Sequence, residues 1–218
     1  VGCLGRPPNV VPPFGPLTRR LTRQNPELFF GRQRCILFYI CSMSKKVILY
    51  IATSLDGFIA RENGSVDWLP QSGEDFGYEA FLSQIDTVLM GHKTYRQILS
   101  FGVEYPYTGK RNYVFTRDKT LERDEHAEFV HSNIVPFVKA LKVSGFKNIW
   151  LVGGGELFSE LLAAGVVDEL ILFVFPLLLG EGIPLFQGPF PEQALELLHA
   201  HAHKGGVLEL RYGIGSHM

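Results

Sequence analysis

Cysteine is scarce in this chain: Cys3, Cys35 and Cys41 are its whole complement over 218 residues, and all three precede Met43. The remainder therefore holds neither a disulfide framework nor a cysteine nucleophile, as expected of an intracellular protein. Long apolar runs are missing too. None approaches the roughly 18 residues of a membrane-spanning helix. No Ser-His-Asp spacing and no nucleophile-elbow motif occurs, which speaks against a serine hydrolase. Strong net charge is also absent, at −1 overall, with 46% apolar and 20% charged residues, the proportions of a soluble globular domain. We expect no nucleic-acid or membrane partner.

Near-neutrality hides a division. Residues 1–42 carry Arg6, Arg19, Arg20, Arg23, Arg32 and Arg34 against Glu27, so 6 − 1 = +5, and the rest carries 15 − 21 = −6. That first segment is rich in Pro and Arg and shows no helical or strand period until Cys35 to Cys41. We read it as an appended basic segment, translated upstream sequence rather than a functional arm, because Met43-Ser44-Lys45-Lys46 before an apolar strand has the form of a natural start. Residues 43–218 are expected to form one domain.

What the chain does have is glycine at the ends of apolar strands. Asn148-Ile149-Trp150-Leu151-Val152 breaks into Gly153-Gly154-Gly155 and reopens at Glu156-Leu157-Phe158 as an amphipathic helix. Glycine accepts positive φ and lets bare backbone approach a ligand, and a helix N-terminus presents free N–H groups and partial positive charge to an anion. The pattern returns in Thr87 to Met90 followed by Gly91-His92-Lys93-Thr94, with a helix opening at Tyr95. A third strand, Asn112 to Phe115, closes on Thr116-Arg117-Asp118, a hydroxyl and a guanidinium suited to phosphate. Ligands of open α/β sheets bind outside the carboxyl ends of the strands, so these loops are expected to share one ligand bearing several phosphates. A Rossmann dehydrogenase is disfavoured: the turn is Gly-Gly-Gly rather than G-x-G-x-x-G, and no acidic residue closes a second strand about 20 positions on.

The remaining pattern predicts a strand over Val47–Thr53, an irregular loop over 54–72 and a helix around Asp75–Gln84. A further helix, entered through Ser132-Asn133, should run through Lys142, and a buried strand should cover Leu170–Phe175. Leu195–His203 and Val207–Tyr212 flank Lys204-Gly205-Gly206, a hairpin signature. Alternating strands and helices with a terminal hairpin imply an α/β three-layer fold: a mostly parallel central sheet, helices on both faces, and a C-terminal antiparallel hairpin.

In this order, Ile51-Ala52-Thr53-Ser54-Leu55-Asp56-Gly57-Phe58-Ile59-Ala60, Trp68-Leu69-Pro70, Gly91-His92-Lys93-Thr94, Phe115-Thr116-Arg117-Asp118, Val152-Gly153-Gly154-Gly155-Glu156 and Pro176 to Phe186 resemble the dihydrofolate reductase superfamily, including relatives fused to riboflavin-biosynthesis deaminases. The resemblance spans Met43 to about Gly213. It implies an NADPH-dependent oxidoreductase in which the cofactor brings the chemistry and the protein supplies position, shielding and a proton route. Carried across, the main chain of Ala52 and Ile59 would contact the nicotinamide carboxamide. Gly91, Lys93 and Thr94 would meet the phosphates, and Gly153, Gly154, Gly155, Glu156 and Leu157 would wrap the pyrophosphate. Thr116 and Arg117 would meet the adenosine side, with Arg117 favouring NADPH over NADH. Asp75, counted back from Gly91, would stand where dihydrofolate reductases keep the pterin-holding carboxylate, and Asp56 would border cofactor and substrate. The same residues have ordinary alternatives, Asp75 as a helix-opening acid and Asp56 as half of an Asp-Gly turn.

Several positions depart from that pattern. Phe173 replaces a threonine and Lys110 replaces an arginine of folate-reducing members, which argues against folate as the acceptor. Gly153 replaces a glutamate of the riboflavin-pathway reductases, and His92 replaces an arginine of the second loop. The resemblance therefore implies a reductase of a small heterocyclic or carbonyl compound, working in the cytoplasm as a homodimer. The 5-amino-6-(5-phosphoribosylamino)uracil reductase of riboflavin biosynthesis and a non-catalytic dinucleotide sensor are the alternatives. His199, His201 and His203 alternate along one strand, where a solvated or subunit-facing edge is a more ordinary reading than a metal site.

Overall fold

The structure is a computed structural model that describes residues 45–70, 75–144 and 147–215. The basic 1–42 segment and its cysteines lie outside the described residues. Among those described, the strands are β1 (Val47–Ser54), β2 (Phe58–Ala60), β3 (Ile85–Gly91), β4 (Arg111–Phe115), β5 (Glu128–Val130), β6 (Asn148–Gly153), β7 (Glu169–Phe175), β8 (Ile183–Pro184), β9 (Leu195–Ala202) and β10 (Leu208–Ile214). The helices are α1 (Tyr78–Ser83), α2 (His92–Ser100), α3 (Ile134–Lys142) and α4 (Gly155–Ala163). Eight strands form one sheet in the order β5-β4-β3-β6-β1-β7-β10-β9. The first six run parallel, and the β10–β9 hairpin joins antiparallel to β7. β2 and β8 pair separately.

Alternation along the strands sets the layers. Val47, Leu49, Leu151 and Leu170 point to one side, where α3 (Ile134, Val138, Leu141) and α4 (Phe158, Leu161, Leu162) cover them. Ile48, Val88, Met90, Trp150, Ile171 and Phe173 point to the other, under α1 (Phe81) and α2 (Tyr95, Ile98). A central strand buried on both faces must be apolar at successive positions, which is why Val47, Ile48 and Leu49 are all buried.

Three local expectations shift. The loop over 54–72 contains β2, because Leu185 donates its N–H to Gly57 O at 2.9 Å and β8 supplies the partner strand. The helix expected around Asp75 starts at Tyr78, since Phe76 (φ 48) and Gly77 (φ 74) are left-handed and cannot continue a right-handed helix. No turn separates β3 from α2, which begins at His92. The hairpin closes where expected, at Lys204–Gly206, through a short 3₁₀ turn with Gly205 at φ 76. The Asn133 cap is present, its side chain accepting from Val135 N at 2.9 Å.

Candidate active site

The carboxyl ends of β6, β3 and β4 lie side by side. Met90 pairs with Gly153 and Gly91 with Phe115, so the glycine turn after β6, the start of α2 and the Thr116-Arg117 loop follow one another along a single sheet margin. Gly154 takes φ 95 and caps α4. A Cβ at Gly154 would sit 3.8 Å from Thr94 Oγ1 and 3.9 Å from Gly91 N. Two strand-to-helix junctions distant in sequence thus form one notch, floored by backbone. Neither α2 nor α4 has a side-chain cap at its N-terminus, whereas α3, which opens after β5 farther along the margin, has Asn133. First-turn N–H groups that no capping side chain satisfies, beside a hydroxyl and without Cβ obstruction, suit an anionic oxygen.

The other glycines and Leu157 shape this notch. A Cβ at Gly91 would lie 3.5 Å from Leu157 Cδ1, so the leucine fixes how closely the two helices approach. Gly153, at φ 153, backs onto Ile51 of β1. Gly155 is buried, and a Cβ there would displace the end of the Gln187 side chain and crowd Pro184 O, so glycine lets the 184–187 segment pack closely on the α4 start. Lys93, Arg117 and Glu156 are exposed at the rim, and Arg117 enters no ion pair among the described residues. Thr116 is half-buried, its hydroxyl accepting from Asp118 N at 3.1 Å. His92, also half-buried, meets Phe129 edge-on at 5.9 Å.

Ala52 is half-buried beside Phe173, its partner in β7. Ile59, in β2, packs against the α3/α4-side core. The two acidic residues hold structural ties. Asp56 accepts from Ser54 Oγ at 2.5 Å, from Leu179 N at 3.1 Å and from Gly180 N at 2.8 Å, binding the β1–β2 turn to the loop after β7. The Ser54 hydroxyl, followed by the Gly180 and Leu179 amides, holds its carboxyl below the usual range, so it is poorly suited to donate a proton. Asp75 is exposed, and its Oδ1 accepts from Glu79 N at 3.2 Å ahead of α1. Its charge still reaches Tyr50 and Tyr78.

Next to Ala52 the surroundings are aromatic, a feature that the sequence reading missed. Tyr50 stacks on Phe81 at 4.3 Å and meets Phe173 at 4.8 Å. Phe76 leans on Phe173 at 5.7 Å and on Phe175 at 6.3 Å. Trp68 meets Phe175 edge-on at 5.5 Å, and its buried Nε1 has no partner. Burial, with the charges of Glu209 and Asp75 next, pushes the Tyr50 hydroxyl far above the usual phenol range, so it stays a neutral donor. Phe76 is the non-glycine residue with positive φ among those described, a costly conformation for a bulky side chain and one that clusters at functional sites. The expected arginine equivalent, Lys110, is spent elsewhere: its ammonium donates to Leu82 O at 2.8 Å and Ile85 O at 3.1 Å. A hollow of about 400 Å³ lies at the opposite sheet end, lined by Tyr105, Lys110, Asn112, Arg123, His126 and Glu128. It is remote from the strand carboxyl ends, outside which ligands of open α/β sheets bind.

Residues 45–208 match the model of the RibD C-terminal domain. The chain belongs to the RibD C-terminal domain family. That family lies within the dihydrofolate reductase-like superfamily, and the sheet order and terminal hairpin agree with it. Among relatives, the chain is 42% identical over 157 residues to the uncharacterized protein YwjB of Bacillus subtilis (strain 168), covering 71% of this chain and 90% of that protein. It is 37% identical over 180 residues to the uncharacterized YyaP of the same strain, covering 77% and 94%. A solved structure from Shewanella sp. PV-4, named provisionally for riboflavin biosynthesis, superposes with TM-score 0.71 at 27% identity, covering 78% of this chain and 99% of that one. The Thermotoga maritima diaminohydroxyphosphoribosylaminopyrimidine deaminase/5-amino-6-(5-phosphoribosylamino)uracil reductase shares the fold, with TM-score 0.59 and 16% identity over 84% of this chain and 60% of that one. Among the described residues, no helix of this RibD C-terminal domain is long and apolar enough to cross a membrane, and no group of three or more His, Cys, Asp or Glu side chains is placed to hold a metal ion.

Proposed function

We propose that this chain is an NADPH-dependent reductase, working in the cytoplasm, that delivers a hydride to a small heterocyclic or carbonyl acceptor. One observation carries the reading: Gly154, Gly91 and Thr94 meet in a notch between two uncapped helix N-termini, and the Thr116-Arg117 loop continues the same margin. The notch would hold the pyrophosphate on the amides of Gly154 to Leu157 and of the first α2 turn, with the Thr94 hydroxyl beside it. Arg117 and Thr116 would take the adenosine end, and the fork of Arg117 matches a 2′-phosphate. Ala52 and Ile59 would present main chain to the carboxamide. When bound, the reduced nicotinamide would supply the hydride. The chain's own residues orient it, and the aromatic set of Tyr50, Phe76, Trp68 and Phe173 keeps water off the reacting face.

A second reading, the uracil reductase of riboflavin biosynthesis, is favoured by the likeness to the Shewanella and Thermotoga proteins. Gly153, in place of the glutamate of that branch, weighs against it. We further propose a homodimer through β9. All eight residues of this edge strand are exposed, Leu195, Leu197 and Leu198 among them, and an open apolar edge calls for a partner strand. Light scattering should then give twice the chain mass.

The deciding experiment is a thermal melt with NADPH and with NADH, followed by NADPH oxidation against dihydrofolate, pterins, deaminated pyrimidine ribosyl phosphate and quinones. A larger melting shift with NADPH, plus turnover of a panel member, is the expected result. Tight binding without turnover would indicate a dinucleotide sensor, and no binding would end the reading.

A further inference from the structure

The hollow at the amino ends of β4 and β5 has a polar inventory that packing alone leaves unexplained. Its volume, about 400 Å³, falls within the range of small-molecule sites, roughly 300–1,000 Å³. Two residues of its wall, Tyr105 at 6% exposure and Asn112 at 7%, each carry a buried polar atom without a hydrogen-bond partner. Among the described residues the other such atom is Trp68 Nε1, so two of the three belong to this one wall. An orphaned polar atom has lost water and gained nothing in exchange.

The chemistry of each orphan defines its missing partner. The Asn112 amide is oriented by its own donors, since Nδ2 donates to Tyr107 O at 3.2 Å and to Lys110 O at 3.1 Å, which leaves Oδ1 as an acceptor without an N–H. The Tyr105 hydroxyl stays un-ionised, because burial, with the charge of Asp124 next, pushes it far above the usual phenol range. It is a donor without an acceptor. Both side chains bear on Tyr107, whose ring meets Tyr105 edge-on at 5.4 Å and whose carbonyl takes the Asn112 amide. The unmet donor and the unmet acceptor therefore belong to one cluster.

Other polar groups of the wall are engaged. Asp124 accepts from the Tyr95 hydroxyl at 2.5 Å and from the His126 and Ala127 N–H groups at 2.9 and 2.8 Å, and the Lys110 ammonium is held by Leu82 O and Ile85 O. By charge, Lys110, Arg111 and Arg123 stand against Asp124, Glu125 and Glu128, so the lining favours neither an anion nor a cation. The rings of Tyr105 and His126 stack at 4.5 Å and 9°, which puts a planar pair in the same wall.

We propose that this hollow is a second ligand site, separate from the glycine margin, and that it takes a small neutral lactam. The ring N–H donates to Asn112 Oδ1, and the ring C=O accepts from the Tyr105 hydroxyl. This assignment goes beyond the reductase reading and does not depend on it.

The test is ¹H–¹⁵N NMR of the full chain titrated with 2-quinolinone, N-methyl-2-quinolinone and benzoate. The first probe carries the lactam N–H and C=O on a planar frame, the second lacks the N–H, and the third is an anion. 2-Quinolinone should give saturable shifts at residues 105–113 and 123–128 and at the Asn112 side-chain amide, and the other two should bind at least about tenfold more weakly. Tyr105→Phe deletes an unpartnered hydroxyl, so it should melt no lower than wild type and bind 2-quinolinone about tenfold more weakly. The comparison with the N-methyl compound is made on wild type and stands whatever the variant does. Equal affinity for 2-quinolinone and its N-methyl derivative overturns the proposal. So does the absence of saturable shifts, shifts confined to the margin around Gly91 and Gly154, or undiminished binding by Tyr105→Phe.

Discussion

Replacing Gly154 with alanine tests the phosphate notch, because the change adds one methyl at the point where two loops meet. Its backbone, at φ 95, is one that L side chains rarely adopt, so strain costs about 1–3 kcal/mol of fold stability. Space is not the difficulty, since the nearest atoms to the added carbon, Leu157 Cγ and Thr94 Oγ1, are each 3.8 Å away. The protein should therefore fold. The methyl would occupy the volume that an anionic oxygen needs to reach Gly91 N and Thr94 Oγ1. Losing one or two charge-assisted hydrogen bonds at about 1.5–3 kcal/mol each removes about 3 kcal/mol, roughly a 100-fold rise in Kd. Gly165 supplies the control. Its φ is 62 and nothing lies within 4 Å of an added Cβ, so Gly165→Ala imposes positive-φ strain, milder than at Gly154, away from the margin. Calorimetric titration with NADPH and unliganded melts on both variants should show a stability loss in each, the smaller in Gly165→Ala, and an affinity loss in Gly154→Ala alone. Equal affinity in the two variants, or undiminished affinity in Gly154→Ala, would refute the notch.

Arg117→Gln should narrow the NADPH-to-NADH affinity ratio by about tenfold while leaving NADH binding near its original value, because the fork would meet only the 2′-phosphate; paired titrations measure it. Asp86 is subject to desolvation, which raises its pKa, but hydrogen bonds from Lys45, Thr87 and Lys147 N–H outweigh this and bring it down to about 2. A folded value below the ordinary carboxylate range of about 4 stabilises the fold above that pH, and the contribution disappears as pH falls through 2. Discounted for partial exposure, it amounts to about 1–2 kcal/mol, so Asp86→Asn should lose that at pH 7 in urea unfolding and lose less than wild type on acidification to pH 3. Asp56→Ala should release the loop after β7, read as faster amide exchange at Leu179 and Gly180, while the exchange of core amides such as Leu151 stays slow.

Local sequence determined much of this protein. Apolar runs broken by glycine place β3, β6 and the helices after them, because a positive φ and a side-chain-free approach are properties of the residue itself. The terminal hairpin was legible from Lys204-Gly205-Gly206 for the same reason. Three things waited for tertiary structure. The left-handed Phe76 carries no composition signal, and it moved the start of α1 and set the carboxylate of Asp75 at a helix opening. Asp56 read as half of a turn, but its amide partners, Leu179 and Gly180, are more than 120 residues away and enter only when the β7–β8 loop folds back. The notch of Gly154, Gly91 and Thr94 likewise depends on strand register. A glycine's freedom is decided by its own missing side chain, whereas which two loops face each other is decided by how all the strands between them align.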